Sequence, residues 1–155
     1  MAIKLVAIDL DNTLLDPERH VAAAGKAAIR EATKRGVIVT IATGRMFSAV
    51  TPIAEELGID VPLITYNGAL IKAARSGEVY HHLPVPCETA RMIIRYALDN
   101  GLHINAYANE VVYVTRMTDE AIMYRDRYGV RVVVKEDLAD SLEEDSTKLL
   151  IITEE

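Results

Sequence analysis

Residues 6–15 read VAIDLDNTLL. The apolar run Val6–Ile8 has the composition of a buried strand, and it stops at Asp9; after Leu10 comes a second acid, Asp11. Two carboxylates this close repel each other unless a cation or a shared proton holds them. The stretch therefore predicts either a metal site or a polar end to a strand.

Outward from that stretch the chain alternates. IKLVAI (3–8) forms a first strand and residues 9–17 a loop. The Ala-rich segment HVAAAGKAAIREATKRG reads as a helix that Gly36 can end. VIVTIAT (37–43) is β-branched enough to be a strand buried on both faces. A helix follows over about 46–57, with Pro52 inside it against the usual rule, and PLITYNG gives a third strand and turn. This order predicts an α/β fold with parallel pairing through right-handed crossovers.

The pattern then changes. ALIKAARSGEVYHHLPV reads as a hairpin turning at Ser76-Gly77. CETARMIIRYALDNG (87–101) is an amphipathic helix, with Ala90, Ile93, Ile94, Ala97 and Leu98 on one face. Two strands about a turn near Ala108-Asn109, a helix at DEAIMYRDRYG, a strand, a short helix at EDLADSLEE and a last strand at TKLLIITEE complete an α+β region. The division is placed at 1–80 and 81–155.

Composition narrows the function. The chain has 155 residues, half of them hydrophobic, enough for one domain or a small domain carrying an insert. A net charge of -6 argues against nucleic acid as partner but leaves room for a small phosphorylated substrate at a local site. The single cysteine, Cys87, excludes a disulfide within the chain and fits a reducing compartment. No apolar run reaches the roughly 18 residues of a membrane span, and the N-terminus is too soon acidic for a signal peptide. The expectation is a cytoplasmic protein with no membrane partner.

In a parallel α/β sheet, ligands bind beyond the C-terminal strand ends. The first end carries Asp9, Asp11, Asn12 and Thr13; the second Thr43, Gly44 and Arg45; the third Thr65, Tyr66, Asn67 and Gly68. Together they describe one polar pocket. Asp9 can attack phosphorus to form an aspartyl-phosphate. Asp11 can protonate the leaving oxygen and then take a proton from the hydrolytic water. Mg²⁺ held by Asp9 and the backbone carbonyl of Asp11 would cancel the repulsion between carboxylate and phosphate. Backbone N–H groups of Leu10, Asn12 and Thr13, the Thr43 hydroxyl and the Gly44 N–H can receive phosphate oxygens. The plainer alternatives stay open: Thr43 as a cap for the following helix, Arg45 as a surface arginine, Asn67-Gly68 as a turn and nothing more.

DLDNTLL resembles the first signature, DxDx(T/V), of the haloacid dehalogenase-like superfamily; IATGR resembles its second, and YNGA a stretch of its Cof-type sugar-phosphatase branch. The resemblance implies a partial Rossmann-like core with an inserted α+β cap. It implies Asp9 as nucleophile, Asp11 as general acid/base and Thr43 as phosphate ligand, with Arg45 and Asn67 shaping the pocket or meeting the substrate. The implied reaction is Mg²⁺-dependent hydrolysis of a phosphomonoester such as a sugar phosphate. Phosphoryl transfer to another alcohol, as in mutases, is the neighbouring chemistry.

Two further signatures of that superfamily, a phosphate-steadying lysine and an acidic GDxxxD-like stretch, have no match before Glu155. Lys148 opens a cap strand and is a poor substitute. The expectation is a chain that stops within the cap, lacks the C-terminal half of the core, and is inactive, paired with a copy of itself or completed by another chain. His81 and His82 point to opposite strand faces and make a poor metal pair, so they are read as linker residues. His20 and His103 are read as structural, and Tyr107, Tyr113, Tyr124 and Tyr128 as packing the cap.

Overall fold

The computed structural model describes residues 2–153 and divides into two compact units, separated in sequence between His82 and Leu83. In the first, β1 (Leu5–Ile8), α1 (Ala23–Lys34), β2 (Ile38–Ile41), α2 (Phe47–Leu57) and β3 (Pro62–Thr65) follow in the predicted order. β1 and β2 pair in parallel, from Leu5 opposite Ile38 to Ile8 opposite Ile41. β3 joins β2 through a parallel bridge between Ala42 and Ile64, and the Thr40 hydroxyl donates to the Pro62 carbonyl at 2.6 Å. The C-terminal ends of all three strands therefore lie along one edge.

β4 (Leu70–Ala73) and β5 (Val79–His82) extend β3 as an antiparallel meander, so the unit is mixed rather than wholly parallel. His81 and His82 are not linker residues. They pair with Ile71 and Leu70, because the open edge of β4 takes up the extended chain that follows the turn. The core gathers Val39 and Ile41 of β2, Val50, Ala54 and Leu57 of α2, and Leu63 of β3, all buried. The β2 strand is less enclosed than its composition suggests, since Ile38 is 50% exposed.

Local chemistry explains the two helices. α1 ends where predicted, with Gly36 left-handed (φ 80°) and the Val37 N–H returning to the Ala32 carbonyl. Pro52 lies inside α2 without breaking it. The N–H that Pro52 lacks would have gone to the Ser48 carbonyl, and the Thr51 hydroxyl donates to that carbonyl instead, at 3.3 Å.

The second unit contains α3 (Cys87–Asp99), β6 (His103–Ala108), β7 (Val111–Val114), α4 (Asp119–Tyr128), β8 (Val132–Val134), the short α5 (Leu138–Ser141) and β9 (Lys148–Ile152). The sheet order is β8-β7-β6-β9, with only β7 and β8 parallel. Ala90, Ile94 and Ala97 of α3 pack against Ile104 and Ala106 of β6 and Leu138 of α5. Leu98, expected on that face, is exposed, because it lies past the narrow stripe that Ala90, Ile94 and Ala97 bury. α3 has no cap of its own at Pro86; the carboxylate of Asp145 accepts the Cys87 N–H at 2.8 Å. The Cys87 thiol donates to the Leu142 carbonyl. Tyr107 is buried, and Tyr124 meets its ring edge-on at 5.9 Å, with Tyr128 beside Tyr124. Burial raises the Tyr107 hydroxyl far above the usual phenol range.

Candidate active site

β1 ends at Ile8, and the chain leaves it with Asp9 still extended (φ -74°, ψ 155°). The next side chain, Leu10, is fully buried. It anchors the turn while the Asp9 carboxylate stays exposed, where it accepts the Thr13 hydroxyl at 3.2 Å. Asn12 is left-handed (φ 60°), and the turn closes with the Leu15 N–H on the Leu10 carbonyl. Asparagine tolerates that backbone region better than most residues.

The second strand end is fastened to the other two. The Ala42 N–H donates to the Ile8 carbonyl, and the Thr43 N–H to the Ile64 carbonyl, both at 2.9 Å. Thr43 does not cap α2. The N-cap position is Met46, and the Thr43 hydroxyl accepts the Arg45 N–H at 3.3 Å. Arg45 is no surface arginine either: it is 5% exposed and makes a two-point ion pair with Asp11, Nε to Oδ2 at 2.8 Å and Nη2 to Oδ1 at 2.5 Å. The side chain of Asp11 remains 40% exposed.

The third end closes over the second. Tyr66 and Asn67 are both left-handed, at φ 52° and 58°. Their N–H groups donate to the Arg45 and Thr43 carbonyls at 2.9 and 3.0 Å. Asp9, Ala42, Thr43, Gly44, Ile64, Asn67 and Gly68 line an open pocket of about 330 Å³. The structure thus brings Asp9, Thr43, Gly44 and Asn67 to one cavity and sets Asp11 against Arg45. Ala42 and Ile64 were not singled out from the sequence; their position at parallel strand ends is the signal that points to them.

Among the described residues no three His, Cys, Asp or Glu side chains converge as a ready-made metal cage. The carboxylate among the residues lining the strand-end pocket is that of Asp9. That carboxylate suits Mg²⁺, which takes one or two protein carboxylates and fills its shell from water and substrate phosphate. Lys148 opens β9 in the second unit, with its ammonium 5.5 Å from the Tyr107 ring centre. Partial burial lowers its pKa from the usual lysine value.

This is an α/β chain with an acid pair and a hydroxyl gathered at parallel strand ends. A family model for haloacid dehalogenase-like hydrolases matches residues 6–155, and the chain belongs to that family. It is 33% identical over 111 residues to the phosphatase YwpJ of Bacillus subtilis, covering 72% of this chain and 39% of that one. It is 37% identical over 114 residues to the 5-amino-6-(5-phospho-D-ribitylamino)uracil phosphatase YcsE of Bacillus subtilis, covering 74% and 45%. A haloacid dehalogenase-like hydrolase from Bacteroides thetaiotaomicron shares the fold with a TM-score of 0.86 at 21% identity, covering 98% of this chain and 59% of that one. The chain thus spans less than half the length of these two curated relatives. Among the described residues no helix is long and apolar enough to cross a membrane.

Proposed function

We propose that this chain carries the nucleophile and phosphate-binding half of a phosphomonoester hydrolase acting on a small phosphorylated metabolite such as a sugar phosphate. The observation that carries the reading is the convergence of the exposed Asp9 carboxylate with Thr43 and Gly44 in one pocket. In this reading an Asp9 oxygen attacks phosphorus, the bond to the leaving oxygen breaks, and Asp11, once turned from the Arg45 guanidinium and protonated by solvent, supplies the proton that oxygen needs. Asp11 then takes a proton from the water that cleaves the aspartyl-phosphate. Arg45 acts on Asp11 rather than on substrate, since its buried guanidinium is committed to that carboxylate. Mg²⁺, when bound through Asp9 and the Asp11 carbonyl, would supply charge neutralisation between carboxylate and phosphate.

Residues 1–80 are the front of the core and 81–155 the cap in this reading, in a cytoplasmic enzyme whose relatives are about twice as long. That share of length also favours a second reading: the isolated chain is a catalytically inactive fragment that binds metal or a partner chain without turnover. Hydrolysis of p-nitrophenyl phosphate by the purified chain, with Mg²⁺ and with chelator, beside Asp9→Asn, separates the two. Metal-dependent turnover that is lost in the variant supports the first reading. Turnover retained by Asp9→Asn removes Asp9 from the mechanism, and a folded chain without turnover leaves binding alone.

A further inference from the structure

We propose that Asn67 is a phosphate ligand, donating its side-chain amide to a non-bridging oxygen, and that residue 44 is glycine to leave that amide its place. The proposal rests on the reading of the pocket as a phosphate site. A Cβ built on Gly44 would lie 2.7 Å from Asn67 Oδ1 and 3.5 Å from Nδ2. Gly44 is not at positive φ, so its backbone does not require glycine; the neighbouring amide does. Asn67 lines the same cavity as Asp9 and Thr43, and its side chain bonds to no other described residue.

The backbone beneath Asn67 is held in place at some cost. Tyr66, a bulky residue, is left-handed directly before it, a conformation that favours glycine and asparagine. The two N–H bonds to the Arg45 and Thr43 carbonyls hold both residues there. A turn with no further task could relax or carry glycine. Here it presents an amide donor to a cavity whose lining residues include a carboxylate and no lysine or arginine. A neutral N–H donor adds to anion binding without neutralising Asp9.

The test is titration of the full chain with inorganic phosphate in the presence of Mg²⁺, followed by amide NMR. In the unsubstituted protein the Thr43 and Gly44 amides and the Asn67 side-chain NH₂ should shift together and saturate. Asn67→Gly keeps the left-handed backbone and removes only the amide; phosphate affinity should fall about tenfold, the scale of one hydrogen bond to a charged group. Asn67→Asp should fall further. Gly44→Ala should match Asn67→Gly, and the double variant should be no weaker than either, because each displaces the same group. Undiminished phosphate affinity in Asn67→Gly overturns the proposal while leaving the phosphate site standing. Silence of Thr43 and Gly44 in the unsubstituted protein overturns both.

Discussion

Asp11 and Arg45 form an ion pair whose two members face different solvents. The guanidinium is buried and the carboxylate side chain is 40% exposed. Removing the carboxylate strands a charge that cannot rehydrate, whereas removing the guanidinium leaves an acid that water can reach. Asp11→Ala should therefore cost about 3 kcal/mol of folding stability and Arg45→Met about 1 kcal/mol, read from urea midpoints at a common slope. Equal costs would show that the pair is no more buried at one end than at the other. The acid pair itself was legible in VAIDLDNTLL, because an apolar strand that stops on alternating carboxylates has few uses. Its partner was not legible: Arg45 lies 34 residues from Asp11, and only the alignment of β1 with β2 brings them together. The Gly44–Asn67 contact was hidden for the same reason.

At the scale of elements, α2 gives the sharpest test of a local rule. Pro52→Ala restores an N–H to the Ser48 carbonyl and should stabilise the chain by about 1–2 kcal/mol, the helical penalty of proline less its benefit in the unfolded chain. Thr51→Val should cost about 0.5–1 kcal/mol in the native background. It should cost almost nothing beside Pro52→Ala, since the carbonyl then has its ordinary donor. Additive effects in thermal melts would refute the substitution of hydroxyl for amide. For α3, Asp145→Ala removes the acceptor of the Cys87 N–H and should cost about 1 kcal/mol. Periodicity made both helices legible, since Ala90, Ile94 and Ala97 fall on one face and are buried. It misplaced Leu98, because a face drawn from sequence is wider than the stripe a small sheet can cover. It gave no sign of Asp145 as a cap, which lies 58 residues from the helix it serves.

For the whole molecule, the order of strands and helices in residues 3–65 was legible because β-branched runs and Ala-rich segments alternate at lengths only crossovers satisfy. The β4–β5 hairpin was legible from its Ser76-Gly77 turn, and it carries His81 and His82 into the sheet, which reading them as linker residues missed. Among the described residues β1 pairs only with β2, and Leu5 is 56% exposed opposite Ile38 at 50%. An apolar strand edge in that state invites pairing, so the chain should elute larger than a monomer in sizing, and Leu5→Lys with Ile38→Thr should shift it toward monomer. A clean monomer without the substitutions would contradict this. The proposed role of Asp9 as nucleophile, in a site assembled from three strand ends, is open to covalent trapping. p-Nitrophenyl phosphate needs no acid to release its phenolate, so Asp11→Asn should form the aspartyl-phosphate and hydrolyse it slowly. Acid quench and peptide mass spectrometry of that variant with Mg²⁺ should find a phosphoryl adduct on Asp9, absent when Asp9→Asn is added. An adduct elsewhere, or none on a variant that still folds and binds phosphate, would contradict the account.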